Sequence, residues 1–337
     1  FSSALNSELL LLLMFLSSLT MFMAGLVANF EYDLKKIIAL STLSQLGLMM
    51  SVLALGESNL AFFHLLMHAL FKALLFMCAG FMIHNMLDCQ DIRYMGCLTQ
   101  MIPLTSVFFN ICNLALCGLP FLSGFYSKDL ILEFMSMGYM NFYVYVIFYL
   151  STGLTMMYSI RLLYYTMFGE FNLMPYFSVS DSGTYMLRGM GGLIMLVIFG
   201  GSIMSWFKFP TPYMICLPLM MKLMVVIVVL LGGVLGLMIS SVSYNDYSKI
   251  LMFYSLSYFF SSMWNLSFLS SLGVNYYFLK FGEKYNSLID QGWSEYFGSQ
   301  NLYLNLKFSS MNMQNFFMNN IKLFLTLFLI WICLLFL

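Results

Sequence analysis

LAFFHLLMHALFKALLFMCAGFMIHNM runs from Leu60 to Met86, and its reading decides the fold. The run exceeds the roughly 20 apolar residues that a helix needs to cross a bilayer. It lacks the period-2 alternation of a membrane barrel strand. Read as a helix, it sets His64, His68 and Lys72 at i, i+4 and i+8. They fall within about 80° of one another on a stripe ~12 Å long. An ionisable group at the bilayer centre costs at least ~2.5 kcal/mol, so three on one face point to a use. Neutral histidine accepts a proton on one ring nitrogen and donates from the other, which suits a proton relay. A structural polar network is the alternative. The H-x-x-x-H spacing also allows a metal, but no carboxylate or cysteine completes a shell.

Similar runs lie on either side. Leu9–Ala28 and Ile37–Leu55 precede it; Pro103 to about Met137, Phe142–Phe168, Leu187–Trp206, Met214–Ile239 and Ile321–Leu337 follow. The expected fold class is all-α: a polytopic membrane protein of about eight spans. Composition agrees, with 61% hydrophobic and 8% charged residues among 337. So few charges cannot cover a soluble globule of this size. Lys+Arg and Asp+Glu balance at 14 each, and nucleic-acid binding would need a basic excess. There is no GxGxxG, P-loop or nucleophile elbow to bind a nucleotide or attack a substrate. Cys78, Cys89, Cys97, Cys112, Cys117, Cys216 and Cys333 form no CxxC pair and read as small buried hydrophobes. The chain opens on Phe1, and with no n-region or cleavage site before the first run, no signal peptide is expected.

Lysine and arginine gather in alternate loops: Lys35 and Lys36, then Arg93, then Arg188, then Lys249, Lys280, Lys284 and Lys307. The positive-inside rule places these loops inside and both termini outside. Glu31 and Asp33 cap the second span, and capping with snorkelling accounts for Lys35. Lys36 stays among the proton-path positions. Arg161, late in the fifth span, reads as an interfacial anchor. Gly232-x-x-x-Gly236 permits close helix approach, as a weak signal in a Gly-rich run.

The stretch Pro103–Met137 would make an unbroken helix about 50 Å long, against ~30 Å of hydrocarbon. Gly118, Pro120 and Gly124 interrupt it, because proline removes a backbone donor and clashes one turn back. Broken helices are tolerated in membranes where they line a cavity or an ion path. Lys128 stands just past this break, and a desolvated lysine can exchange protons near neutrality. Snorkelling beside Asp129 is the alternative reading. The expected organisation is a membrane half over 1–240, a polar interfacial region over 241–320 and a terminal anchor over 321–337. Within the second, Tyr277, Phe281, Leu288 and Trp293 recur at helical spacing, predicting an amphipathic helix over Val274–Phe297.

Four segments carry a family resemblance: DLKKIIALSTLSQLGLMM (Asp33–Met50), the Leu60–Met86 run, QDIRYMG (Gln90–Gly96) and NLALCGLPFLSGFYSKDLILE (Asn113–Glu133). The chain resembles the subunit 5 family of mitochondrial NADH dehydrogenase, the distal antiporter-like proton-pumping subunits of respiratory complex I. The match is continuous over about 30–170; beyond 240 it rests on layout, a lateral helix followed by one anchor. The resemblance implies a multi-pass protein of the mitochondrial inner membrane that couples NADH-to-quinone electron transfer to proton pumping. It implies Lys128 as the broken-helix lysine of the central axis, and His64, His68 and Lys72 on the same route. It also implies that NADH, FMN, iron–sulfur clusters and ubiquinone reside in other subunits. The implied partners are other membrane-arm subunits, notably the adjacent antiporter-like one near Asp290, Trp293 and Glu295, together with lipids. Family members are considerably longer, and this chain begins where their ninth helix would, so alone it is not expected to complete a proton path. A subunit of a multi-subunit cation/proton antiporter and a structural membrane scaffold are the alternatives.

Overall fold

The computed structural model describes residues 5–138, 142–172, 178–241 and 253–337. By contacts the chain divides into Phe1–Trp264 and Asn265–Leu337. Among the described residues the structure is helical, and the one extended pairing is an isolated bridge between Asp33 and Asp91.

In the first unit, six helices are long and apolar enough to span a membrane. They are α1 (Ser7–Ala28), α2 (Leu34–Ala54), α3 (Ser58–Asn85), α7 (Phe142–Leu163, running on through a π turn to Phe168), α8 (Thr184–Lys208) and α9 (Leu219–Ser241). Between α3 and α7 lie a single turn, α4 (Leu98–Met101), then α5 (Pro103–Cys117) and α6 (Leu130–Met137); α10 (Tyr254–Ser261) closes the unit. The seventh span was expected from Met214, but α9 starts at Leu219. Pro218 disfavours helix in the residue before it, so the chain enters the helix only after the ring.

α3 lies in the middle, packed against α2, α5 and α8. Phe63, Met67, Phe71, Leu74 and Leu75 are buried there with Phe109 and Cys112 from α5 and Val197 from α8. A second core joins α1, α2, α6 and α7 through Met21, Leu48, Ile131 and Phe148. Without a hydrophobic driving force between helices in lipid, close backbone approach carries much of the packing. A Cβ at Gly232 of α9 would strike the Gly153 carbonyl of α7, and one at Gly236 would lie 2.7 Å from the Met157 carbonyl oxygen. The GxxxG spacing marks a real seam.

The long fourth stretch is broken where expected. α5 ends at Cys117 because Gly118 turns left-handed, with φ +82°, and Leu119 N–H closes the end on the Leu114 carbonyl. Pro120 then prevents resumption of the same helix. The chain restarts in a π turn, Phe125–Asp129, that leads into α6. The restart lies against the first half, since a Cβ at Gly124 would overlap the Ala115 carbonyl. Only glycine fits there.

The second unit is one long helix followed by a shorter one. The helix expected over Val274–Phe297 is longer than the sequence pattern indicated. It runs over Phe268–Met318, about 75 Å at 1.5 Å per residue. It comprises α11 (Gly273–Tyr285) and α12 (Asn301–Asn319), with π turns at Phe268–Leu272, Asn286–Ser294 and Tyr296–Gln300. The apolar stripe fades after Phe297 into an Asn- and Ser-rich sequence, so periodicity alone missed the second part. Backbone at Asn320 is extended, and α13 (Ile321–Phe336) follows.

Candidate functional site

Three helices bring the predicted charges inside. His64, His68 and Lys72 of α3 are buried, as is Lys128 on the π turn. His64 sits between two helices. Its Nε2 donates to Gln45 Oε1 of α2 at 3.2 Å, and its Nδ1 lies 3.0 Å from the Ser127 hydroxyl. Both imidazole nitrogens are thus engaged, one on each neighbouring element. Ser127 precedes Lys128 in the chain, so the histidine stripe and the broken-helix lysine meet at adjacent residues.

Lys128 does not snorkel. It is 2% exposed; its Nζ donates to Thr155 Oγ1 of α7 at 2.8 Å and to the Leu116 carbonyl at 3.4 Å. That carbonyl belongs to the last turn of α5, where helix termination leaves acceptors unused. The break therefore places the lysine against a helix C-terminus, the end that favours a cation. Lys72, two turns beyond His64, donates to Ser41 Oγ of α2. His68 lies between them, its ring 6.2 Å from that of His64 and edge-on to Phe71 at 5.3 Å. Its Nε2 has no hydrogen-bond partner among the described residues.

Lys36 is not brought to this set. It is exposed on the first turn of α2 and pairs with Asp33 Oδ2 at 2.9 Å. Arg161, expected as an interfacial anchor, is 4% exposed, near the end of α7 and against the turn between α1 and α2. Its Nη1 donates to the Glu31 carbonyl at 2.8 Å, and its guanidinium lies 4.6 Å from the Tyr32 ring. Arg93 covers the same ring at 4.3 Å and binds Asp91 at 2.6 Å. Hydrogen bonds from the Arg93 side chain hold the Asp91 carboxyl below its ordinary range. The two arginines thus fix the turn between α1 and α2. The cysteines also divide: Cys78, Cys112 and Cys117 are buried as expected, but Cys216 and Cys333 are exposed. Both of these stand on segments with few neighbours within the chain.

Sequence reading by charge missed the hydroxyls and the amide that receive the charges: Ser41, Gln45, Ser127 and Thr155. A signal existed, since Ser41 and Gln45 are i, i+4 within the polar patch Ser41–Gln45 of a span that is apolar on either side. Thr152, Thr155 and Ser159 likewise share a face of α7. Ser41 and these three each donate to a carbonyl one turn back, which leaves their lone pairs free for a lysine or histidine.

The family described as NADH:quinone oxidoreductase/Mrp antiporter, TM matches residues 1–155, and that described as NADH dehydrogenase subunit 5 C-terminus matches 158–337. The NADH-ubiquinone oxidoreductase chain 5 of Anopheles quadrimaculatus is 54% identical over 319 residues, 95% of this chain and 55% of that one. The protein of the same name from Aedes aegypti is 53% identical over 98% of this chain and 57% of its own length. That from Locusta migratoria is 50% identical over 96% and 57%. The chain thus spans a little over half the length of these curated relatives. In fold it is similar to a chain of the Mrp complex from Dietzia sp. DQ12-45-1b, with a TM-score of 0.51 at 18% identity over 69% of this chain and 49% of the other. Through matches that together cover nearly all of its residues, the chain belongs to the NADH dehydrogenase subunit 5 family.

Proposed function

We propose that this chain forms the second antiporter-like half of a proton-translocating membrane-arm subunit of NADH:ubiquinone oxidoreductase, multi-pass in the mitochondrial inner membrane. The observation that carries this reading is Lys128: buried at a helix break, held by Thr155 and Leu116, and adjacent to the Ser127 that binds His64. The buried Nζ is held by neutral acceptors, a hydroxyl and a helix-end carbonyl, rather than by a hydrogen-bonded carboxylate among the described residues. It therefore suits loading and unloading of a proton. His64, His68 and Lys72 extend the polar line along α3. Electron transfer elsewhere in the complex would change the protonation of these groups by electrostatic coupling.

In this reading the redox chemistry belongs to other subunits, which hold NADH, FMN, iron–sulfur clusters and ubiquinone. The partners are other membrane-arm subunits, the adjacent antiporter-like one among them, with the lateral helix around Asp290, Trp293 and Glu295 as the contact, and lipids around the rest. Lys36, at the exposed start of α2, would act at most at the aqueous mouth. The likeness to the Mrp complex bears on the antiporter alternative through fold alone.

The test is Lys128→Met in the assembled complex, reconstituted in vesicles. Methionine fits the volume but carries no proton. Proton transport per NADH oxidised is expected to fall while assembly is kept. Wild-type transport in the variant would overturn the reading, and absence of flavin and NADH oxidation from the purified complex would favour the antiporter.

A further inference from the structure

α5 begins without a cap of its own. Its N-cap residue, Ile102, has no side-chain oxygen, and Pro103 follows as the first helical residue, with no N–H to offer. The first N–H that the helix leaves without an internal partner is therefore that of Leu104. Its partner comes from 77 residues along the chain: Leu104 N–H donates to Asp181 Oδ2 at 3.0 Å. The Thr105 hydroxyl is divided between the Ile102 carbonyl and Asp181 Oδ1, at 3.2 Å each. Both oxygens of one carboxylate thus close the end of a helix that favours an anion.

Asp181 lies on a strap, residues 180–183, that leads into α8 and also holds the end of α3. Asn85 Nδ2, on the last residue of α3, donates to the Ser180 carbonyl at 3.4 Å, and a Cβ at Gly183 would lie 2.8 Å from Phe81 Cε2. The strap therefore joins the helix that carries His64, His68 and Lys72 to the start of the half-helix that ends beside Lys128.

The far end of α5 is where its placement matters. There the Leu116 carbonyl accepts from Lys128 Nζ at 3.4 Å, already long for a hydrogen bond, so a small further slide of α5 along its axis breaks it. α5 is one uninterrupted helix over Pro103–Cys117, so displacement of its first turn is carried about 18 Å, from Leu104 to Leu116.

We infer that Asp181 is a positioning residue for proton translocation: by capping α5 from the strap, it sets where the Leu116 carbonyl meets Lys128. The inference rests on the proton-translocating reading above. Asp181 carries no proton along the route; it acts on Lys128 through the backbone of α5.

The experiment compares wild type, Asp181→Asn, Asp181→Ala and Lys128→Met, each as the assembled complex in vesicles. The readout is the proton transport rate per complex, the amount of complex being taken from its flavin. Asp181→Ala removes the cap and is expected to lower this rate about fivefold, the scale of one helix cap. Asp181→Asn keeps an oxygen for Leu104 N–H and is expected to stay within about twofold of wild type. A carboxylate that only helped the chain fold would change the yield of complex and leave the rate per complex unmoved. An unchanged rate in Asp181→Ala, or equal losses in the alanine and asparagine variants, overturns the inference provided that Lys128→Met is impaired. If Lys128→Met itself pumps normally, the underlying reading fails instead. Should Asp181→Ala not assemble, Thr105→Val takes its place: it keeps the shape and removes one of the two contacts. A loss of about twofold is then expected, and an unchanged rate overturns the inference.

Discussion

The Nζ of Lys128 lies 2.8 Å from Thr155 Oγ1, and the same hydroxyl donates its proton to the Thr152 carbonyl at 2.7 Å. The threonine therefore presents only lone pairs to the lysine. Its partner in the other direction, the Leu116 carbonyl, is more distant at 3.4 Å. Thr155 is the closer and more adjustable of the two supports.

Thr155→Val keeps the shape and removes the acceptor. A hydrogen bond to a charged group is worth roughly 1.5–3 kcal/mol, so a loss of about tenfold or more in proton transport rate is expected. Thr155→Ser should restore most of it. Transport in reconstituted vesicles measures both, and equal rates in the valine and serine variants would refute the role.

His68→Phe is expected to impair transport, whereas His84→Phe is not. His68 is 8% exposed, mid-span, with an Nε2 unpartnered among the described residues; His84 is exposed at the end of the same helix. The size of the side chain is nearly kept in both cases, so the difference isolates the ring nitrogens. Equal losses at the two positions would remove His68 from the route.

The seam between α7 and α9 predicts opposite outcomes at neighbouring glycines. Gly232→Val drives a side chain into the Gly153 carbonyl and should destabilise the protein by about 1–3 kcal/mol, as overpacking does. Gly233→Ala meets nothing nearer than Met156 Cε, at 3.5 Å, an ordinary contact. Thermal unfolding in detergent is expected to show a lowered midpoint for Gly232→Val and little change for Gly233→Ala.

Asp91 should give the turn region an acid limb. The Arg93 hydrogen bond depresses its carboxyl in the folded chain below the ordinary value of 3.8. A depressed carboxyl contributes stability that is present above its unfolded value and lost as pH falls through the folded one. Unfolding followed from about pH 6 downward should therefore show a loss beginning near about pH 4 that is smaller in Asp91→Asn. An unchanged acid limb in the variant would show that the ion pair contributes nothing, as some exposed pairs do.

Charge and apolar length made most of the membrane half legible in the sequence. Lys72 could be placed inside because no acid near it in sequence offsets its cost in lipid, whereas Lys128, beside Asp129, left snorkelling open until the fold buried it. Gly118 and Pro120 announced the break through their own backbone chemistry. Arg161 could be read only as an anchor near the end of a span, because its partner, the Glu31 carbonyl, is 130 residues away. Ser41 and Thr155 were invisible for a related reason: a hydroxyl costs little in a helix, so only the fold tells which one faces a lysine. The long helix of the second unit was cut short because exposed helix beyond Phe297 needs no apolar stripe.

The π turn at Phe125–Asp129 has a consequence for length rather than chemistry. Such a turn holds one residue more than an α turn, and the residues after it are rotated by about 100° relative to an uninterrupted helix. Deleting any one residue between Phe125 and Ser127 would relax the turn to ordinary helix without removing a charge. The lost residue and the restored α turn would offset each other in rotation, so Leu130–Met137 would keep their faces. The turn is thus a buffer for chain length: it stores one residue that a single in-frame codon loss could withdraw without turning the helix beyond it.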